Sequence, residues 1–200
     1  MNILYIHGWG SSYDPDAPKV EALRKLGDVY GVNLDYTEGY DAVLAHAVGH
    51  VVMHDIKMVV GTSMGGFMAS RVGKMMGIPY VACNPALRPS KQLKKYLGEG
   101  TTHDGEPYTF TKDALRSYPD FAGLGFRERF KNFFSRDGGI NGLVLLDRGD
   151  EVINASDTLH EMSCINPVFI FEGGSHRFEH MEESVKYIKL LTPAKEAVCE

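Results

Sequence analysis

Cysteine is scarce in this 200-residue chain. Cys83, Cys164 and Cys199 are odd in number and widely spaced. They offer neither a disulfide framework nor a thiolate zinc site, and reduced thiols in a cytoplasm are expected. No apolar run approaches the roughly 20 residues of a membrane span. The opening Met1-Asn2-Ile3-Leu4-Tyr5-Ile6 reads as a strand; it has no basic n-region and no long apolar h-region, so no secretory signal is expected. Positive charge is also in short supply: 21 Lys and Arg stand against 26 Asp and Glu, a net charge of −5. With no basic stripe interleaved with aromatics, a nucleic-acid partner is not expected. The densest basic cluster, Lys91, Lys94 and Lys95, is too short to build on. Internal repeats and low-complexity segments are missing as well.

What is present suits one soluble domain spanning residues 1–200, with 44% hydrophobic and 24% charged residues. Short apolar runs alternate with helical patterns. Strands are expected at Asn2–Ile6, Val29–Leu34, Met58–Val60, Ile78–Ala82, Gly142–Leu146 and Pro167–Phe171. Helices are expected at Pro18–Leu26, Asp41–Asp55, Phe67–Met76, Ile153–Met162 and Glu182–Leu191. This rhythm implies an α/β fold, a mostly parallel sheet of about six strands flanked by helices. It breaks between Cys83 and Gly139, where no clear strand is visible. Residues 84–139 read as a short helical insertion over the site, with helical stretches at Lys91–Leu97, Asp113–Arg116 and Arg127–Phe134. The insertion carries Phe121, Phe126, Phe130, Phe133 and Phe134, whose main role is to pack it onto the sheet; some could line an apolar pocket.

The most informative stretch is Met58 to Ala69. A β-branched strand end runs into Gly61-Thr62-Ser63-Met64-Gly65, which fits G-x-S-x-G, and then into a helix. Strand, sharp turn and helix is the setting in which that motif presents a nucleophilic serine. The turn strains Ser63, and side chains at 61 or 65 would clash. The helix N-terminus favours negative charge at the Ser63 hydroxyl.

A serine needs a base to take its proton and a carboxylate to orient that base. On such a sheet the order is serine, acid, histidine, each after a strand. His176, in Gly173-Gly174-Ser175-His176, follows the last strand and is the expected base, with His180 its nearest rival. Asp147 and Asp150 both follow the fifth strand. Asp150 is favoured because a loop carboxylate can reach forward, whereas Asp147 could close a turn with Gly149; spacing alone leaves Asp147 open. Glu151 reads as a solvated neighbour. The oxyanion needs two backbone N–H donors, one from Met64 and one from the loop after the first strand, His7-Gly8-Trp9-Gly10. Trp9 is the candidate and Gly10 the second choice, and the Trp9 ring could equally pack over the loop. That loop lacks the G-K-[ST] ending of a phosphate loop. His46, His50 and His54 recur every four residues on one helix, opposite Leu44, Val48, Val51 and Val52. No Cys or Glu completes a ligand set, so no metal is expected.

These motifs resemble the YqiA-type esterases of the α/β-hydrolase fold over nearly the whole chain. The resemblance runs through His7–Ser12, Gly61–Gly66, Asn84–Pro89, Tyr96-Leu97-Gly98, Gly105-Glu106-Pro107-Tyr108, Gly149-Asp150-Glu151-Val152 and Gly173–Phe178. It implies a small serine hydrolase acting on carboxylic esters or thioesters without a cofactor, with Ser63 as nucleophile, Asp150 as acid and His176 as base. It thereby supports Asp150 over Asp147. Ser63-Met64 stands where the family often has Ser-Leu, and Thr101-Thr102-His103-Asp104 has no clear counterpart, which leaves substrate choice open. Two rival readings follow. One is an acyl-CoA thioesterase whose phosphates meet Arg88, Lys91, Lys94 and Lys95. The other is a non-catalytic small-molecule binding protein on a hydrolase scaffold.

Overall fold

A computed structural model of the protein describes residues 1–121 and 141–191. Its elements run in chain order as β1 (Asn2–Ile6), α1 (Pro18–Arg24), β2 (Asp28–Val32), α2 (Tyr40–Met53), β3 (Met58–Thr62), α3 (Met64–Met76) and β4 (Tyr80–Cys83). They continue with α4 (Pro89–Gln92), β5 (Gly98–Thr101), β6 (Pro107–Phe110), α5 (Lys112–Ser117), β7 (Gly142–Asp147), α6 (Ala155–Met162), β8 (Val168–Phe171) and α7 (Met181–Ile188).

Six strands form one sheet in the order β2-β1-β3-β4-β7-β8, and every pairing in it is parallel. Side chains alternate across it and pack into buried clusters on its two faces. Leu4, Ile6 and Val59 join Val43, Ala47 and Val51 of α2 and Phe67, Met68 and Val72 of α3 on one face. Ile3, Tyr5, Met58, Val60, Val81 and Leu145 meet Val20 and Leu23 of α1 and Met181, Val185 and Ile188 of α7 on the other. A strand sandwiched this way has no solvent side, which is why β1, β3, β4 and β7 are apolar almost without interruption.

All six carboxyl ends lie along one edge. From β1 the chain moves outward to β2 and then returns past β1 to β3, so the loops after β1 and β3 leave the sheet in opposite directions. Ligand crevices of open α/β sheets form at such a switch point.

Two expectations need correction. The insertion contains strands after all: β5 and β6 pair antiparallel, Gly98 with Phe110 through Thr101 with Pro107. Gly98-Glu99-Gly100-Thr101 has little β character of its own, and cross-strand pairing supplies it. Val52 does not share the buried face of α2; it is 68% exposed, while Val43, Ala47 and Val51 turn inward. Phe121 is buried against the sheet beside Tyr80 and Val144. The helix expected at 127–134, with Phe126, Phe130, Phe133 and Phe134, lies outside the described residues, as does Cys199.

Candidate active site

Ser63 is the first residue past β3 and caps α3, with φ 57° and ψ −119°. Few non-glycine residues adopt that backbone, and it is held on three sides. The Ser63 N–H donates to the Cys83 carbonyl at 2.9 Å, and the Ser63 carbonyl accepts from Phe67 N–H and Ala86 N–H at 3.0 and 3.1 Å. The glycines allow the close approach this requires. A Cβ on Gly65 would lie 2.1 Å from the Ile6 carbonyl oxygen, and one on Gly61 would lie 2.1 Å from the Gly65 carbonyl oxygen.

His176, on the loop between β8 and α7, presents Nε2 to Ser63 Oγ at 2.8 Å. Its Nδ1 meets Asp150 Oδ2 at 2.9 Å and Oδ1 at 3.0 Å. A carboxylate can only accept, so the imidazole proton sits on Nδ1; Nε2 is then free to accept from the serine hydroxyl. Asp150 Oδ1 also accepts from Val152 N–H and Ile153 N–H, both at 2.8 Å. The carboxylate side chain is 1% exposed. The three residues that sequence reasoning put forward are thus brought into one hydrogen-bonded line.

The alternatives occupy other places. Asp147 is fully buried and its Oδ1 accepts from His180 Nδ1 at 2.7 Å. Its Oδ2 accepts from Ser175 N–H and Glu179 N–H at 3.2 and 2.8 Å. Asp147 and His180 therefore form a second acid–imidazole pair beside the first, a role that sequence reasoning missed. Glu151 is exposed as expected, yet it also accepts the His176 N–H at 3.1 Å. Asn84, read only as part of a turn, is 1% exposed and has φ 43°. It donates to the carbonyls of Ser175 and His176 at 2.9 and 3.4 Å. The available signal was a polar residue directly after a buried strand, where a side chain must find partners or pay for desolvation.

The loop after β1 closes over Ser63. Gly8 comes so near that a Cβ there would sit 3.3 Å from Ser63 Cβ. His7 is 3% exposed, and its Nε2 accepts from Leu34 N–H at 2.9 Å while Nδ1 donates to the Gly8 carbonyl at 2.7 Å. Burial lowers its pKa, only partly opposed by the Gly8 hydrogen bond. The Trp9 ring stacks on Tyr96 at 5.2 Å and lies 4.5 Å from Phe110, which ties this loop to the insertion. The His103 N–H donates to the Gly10 carbonyl at 2.7 Å, so the tip of the β5–β6 hairpin grips the same loop. Trp9 and Met64, the two expected oxyanion donors, both line the cavity at Ser63, which holds about 1040 Å³. Lys19, Lys95, Arg177 and Glu179 add charge to its wall. Burial lowers the Lys19 pKa.

Other candidates fall away. Burial raises the Cys83 thiol pKa, which keeps the thiol protonated and unreactive. His46, His50 and His54 lie ring beside ring at 5.3 and 5.6 Å. Among the described residues no cluster of His, Cys, Asp and Glu could hold a metal ion. Arg88 pairs with Glu161 instead of facing the cavity. No helix among the described residues is long and apolar enough to cross a membrane.

Chemically, a serine hydroxyl aimed at an imidazole nitrogen, with a buried carboxylate behind the ring, can attack an acyl carbon. Known proteins agree with the fold. The protein YcfP of Escherichia coli O9:H4 (strain HS), a UPF0227 protein, is 24% identical over 200 residues, covering 94% of this chain and 96% of its own. Among solved structures, Est1E from Butyrivibrio proteoclasticus superposes with a TM-score of 0.63 at 15% identity, covering 94% of this chain and 85% of its own. A monoacylglycerol lipase of Paleococcus ferrophilus gives 0.64 at 15% identity, covering 95% and 93%. The fold is that of the α/β-hydrolases. A family model described as "Uncharacterised protein family (UPF0227)" matches residues 2–192. The chain belongs to the UPF0227 family.

Proposed function

We propose that the protein is a serine hydrolase that cleaves carboxylic esters through an acyl-enzyme intermediate. The observation that carries this is the line from Asp150 through His176 to Ser63 Oγ, with contacts of 2.9 and 2.8 Å, opening into a cavity. His176 Nε2 takes the hydroxyl proton as Ser63 Oγ attacks the acyl carbon. Asp150 steadies the imidazolium. The backbone N–H groups of Met64 and Trp9 receive the oxyanion, helped by the dipole of α3. His176 then protonates the leaving alcohol, and water activated by the same nitrogen releases the acid. The chemistry needs no metal or organic cofactor.

Structural neighbours that include esterases and a lipase support hydrolysis as the reaction class. An ester is favoured over acyl-CoA because Arg88 is paired with Glu161, and of the four basic residues considered for phosphates only Lys95 lines the cavity. The wall mixes Trp9, Tyr96 and Leu93 with charged side chains, which suits small or flexible esters. Buried Cys83 and exposed Cys164, both unbridged, are in keeping with a cytoplasmic enzyme.

A fluorophosphonate probe with mass-spectrometric location of the adduct tests this reading. Labelling is expected at Ser63 and is expected to vanish in His176→Ala. A folded wild type that takes no label and hydrolyses no 4-nitrophenyl ester would leave an inert scaffold that binds a small molecule.

A further inference from the structure

The segment carrying His176 has no regular secondary structure, yet its peptide groups are held from several sides by side chains of other elements. Asp147, at the end of β7, accepts the N–H groups of Ser175 and Glu179. Asn84, directly after β4, donates to the carbonyls of Ser175 and His176. The two holders are themselves joined, since the Asp147 N–H donates to Asn84 Oδ1 at 2.9 Å. From α1, Lys19 Nζ donates to the Arg177 carbonyl at 2.6 Å. Asn84 and Asp147 are at most 1% exposed, so solvent does not compete for their side chains.

Neither residue reaches the reacting atoms. Both Asp147 oxygens are occupied, Oδ1 by His180 and Oδ2 by two peptide N–H groups, so Asp147 is no spare acid for His176. His180 commits Nδ1 to Asp147 and lies flat on Phe171, with ring centres 5.1 Å apart and an 8° angle. A buried carboxylate is costly unless it is paired and hydrogen-bonded, and three donors hold this one. What the arrangement delivers is the location of one imidazole.

We propose that Asn84 and Asp147 are positioning residues that fix His176 against Ser63, and that His180 completes their anchor and is not a second base. The proposal rests on the hydrolase reading above. Misplacing a catalytic group by about 1 Å can cost about 100-fold in rate.

The test compares wild type, Asn84→Ala, Asp147→Ala and Asp147→Asn. Each variant is titrated with a fluorophosphonate to count competent sites, then assayed on 4-nitrophenyl butyrate. In the two alanine variants kcat per titrated site should fall about 10- to 100-fold, with KM within about threefold. Asp147→Asn should recover most of the loss. Its amide oxygen can still accept from Ser175 and Glu179, and its NH2 can donate to His180 in the other tautomer. A merely stabilising role would lower the melting temperature and the titratable fraction while kcat per site stayed at the wild-type value, and that result overturns the proposal.

Histidine-¹⁵N NMR supplies a readout independent of turnover. The His176 Nδ1–H signal should shift or broaden in Asn84→Ala with the far-UV spectrum intact, and an unchanged signal also overturns the proposal. If Asp147→Ala does not fold, Asn84→Ala decides, because it removes no charge. If the wild type neither labels nor hydrolyses, the hydrolase reading fails, and the NMR comparison still decides whether these residues place His176.

Discussion

Two acid–imidazole pairs stand side by side at the carboxyl ends of β7 and β8, and they are almost the same in isolation. Asp150 meets His176 at 2.9 Å and Asp147 meets His180 at 2.7 Å, both through Nδ1. The carboxylate side chains are 1% and 0% exposed, the imidazoles 21% and 20%. The difference lies in what each pair does next. Asp150 Oδ1 otherwise braces the start of its own loop, and the far nitrogen of His176 reaches Ser63. Asp147 braces the opposite loop, on both sides of His176 in sequence, and His180 rests on Phe171. An Asp–His contact is therefore not in itself a catalytic signature. The group beyond the imidazole decides the role.

The hardest way to break this comparison is to remove each imidazole in turn. His176→Ala should lower kcat by about 10⁴- to 10⁶-fold, whereas His180→Ala should cost about tenfold or less because the base itself remains. Comparable losses in steady-state assays would make the two pairs equivalent. Next come the carboxylates. Asp150→Asn should cost about 10⁴-fold, since an amide favours the wrong tautomer and cannot steady an imidazolium. The same change at Asp147 meets an imidazole that rests on Phe171 and does not touch Ser63, and kcat should stay within about tenfold. A gentler perturbation touches the anchor without deleting any hydrogen-bonding group. Gly174 has φ +70°, and a Cβ there would lie 2.0 Å from Asp147 Oδ2. Gly174→Ala should therefore cost about 1–3 kcal/mol in chemical denaturation and lower kcat per titrated site, while wild-type values in both would mean that the loop gives way freely.

How far the sequence discloses the two pairs follows from the same contrast. Ser63 and His176 are legible because each sits after a strand in a fixed chain order, and because Gly61 and Gly65 mark a turn that has few other uses, whereas the preference for Asp150 over Asp147 draws on the family resemblance. All six sheet strands are legible for a related reason: parallel strands buried on both faces must be apolar throughout. The anchor was not legible. Nothing local separates Asp147 from Asp150, and only the folded loops reveal that one carboxylate faces the imidazole at Ser63 while the other faces peptide N–H groups. Asn84 hides equally well inside Asn84-Pro85, where a turn is explanation enough. The β5–β6 hairpin was missed because Gly98 to Thr101 becomes a strand through pairing with β6, while Trp9 packs against Tyr96, Tyr108 and Phe110 around that hairpin. Those partners are far apart in the chain.

A third imidazole supplies the control and the smallest expected effect. His7 hydrogen-bonds to no carboxylate, although Asp104 acts on it through space and weakly opposes the effect of burial; it accepts from Leu34 N–H and donates to the Gly8 carbonyl, so both ring nitrogens are satisfied only in the neutral form. Burial accordingly holds its pKa below the usual histidine value. As pH falls from about 6.5, the unfolded chain takes up this proton before the folded one does. The stability associated with neutral His7 is therefore complete above that pH and declines as the pH drops towards the folded value. Thermal unfolding between about pH 6.5 and 5 should thus show a shallower dependence in His7→Gln than in wild type. Parallel curves for wild type and His7→Gln would mean that the loop after β1 tolerates a charged His7, and that the closure of Gly8 over Ser63 depends on Tyr36, whose hydroxyl donates to the His7 carbonyl at 2.6 Å.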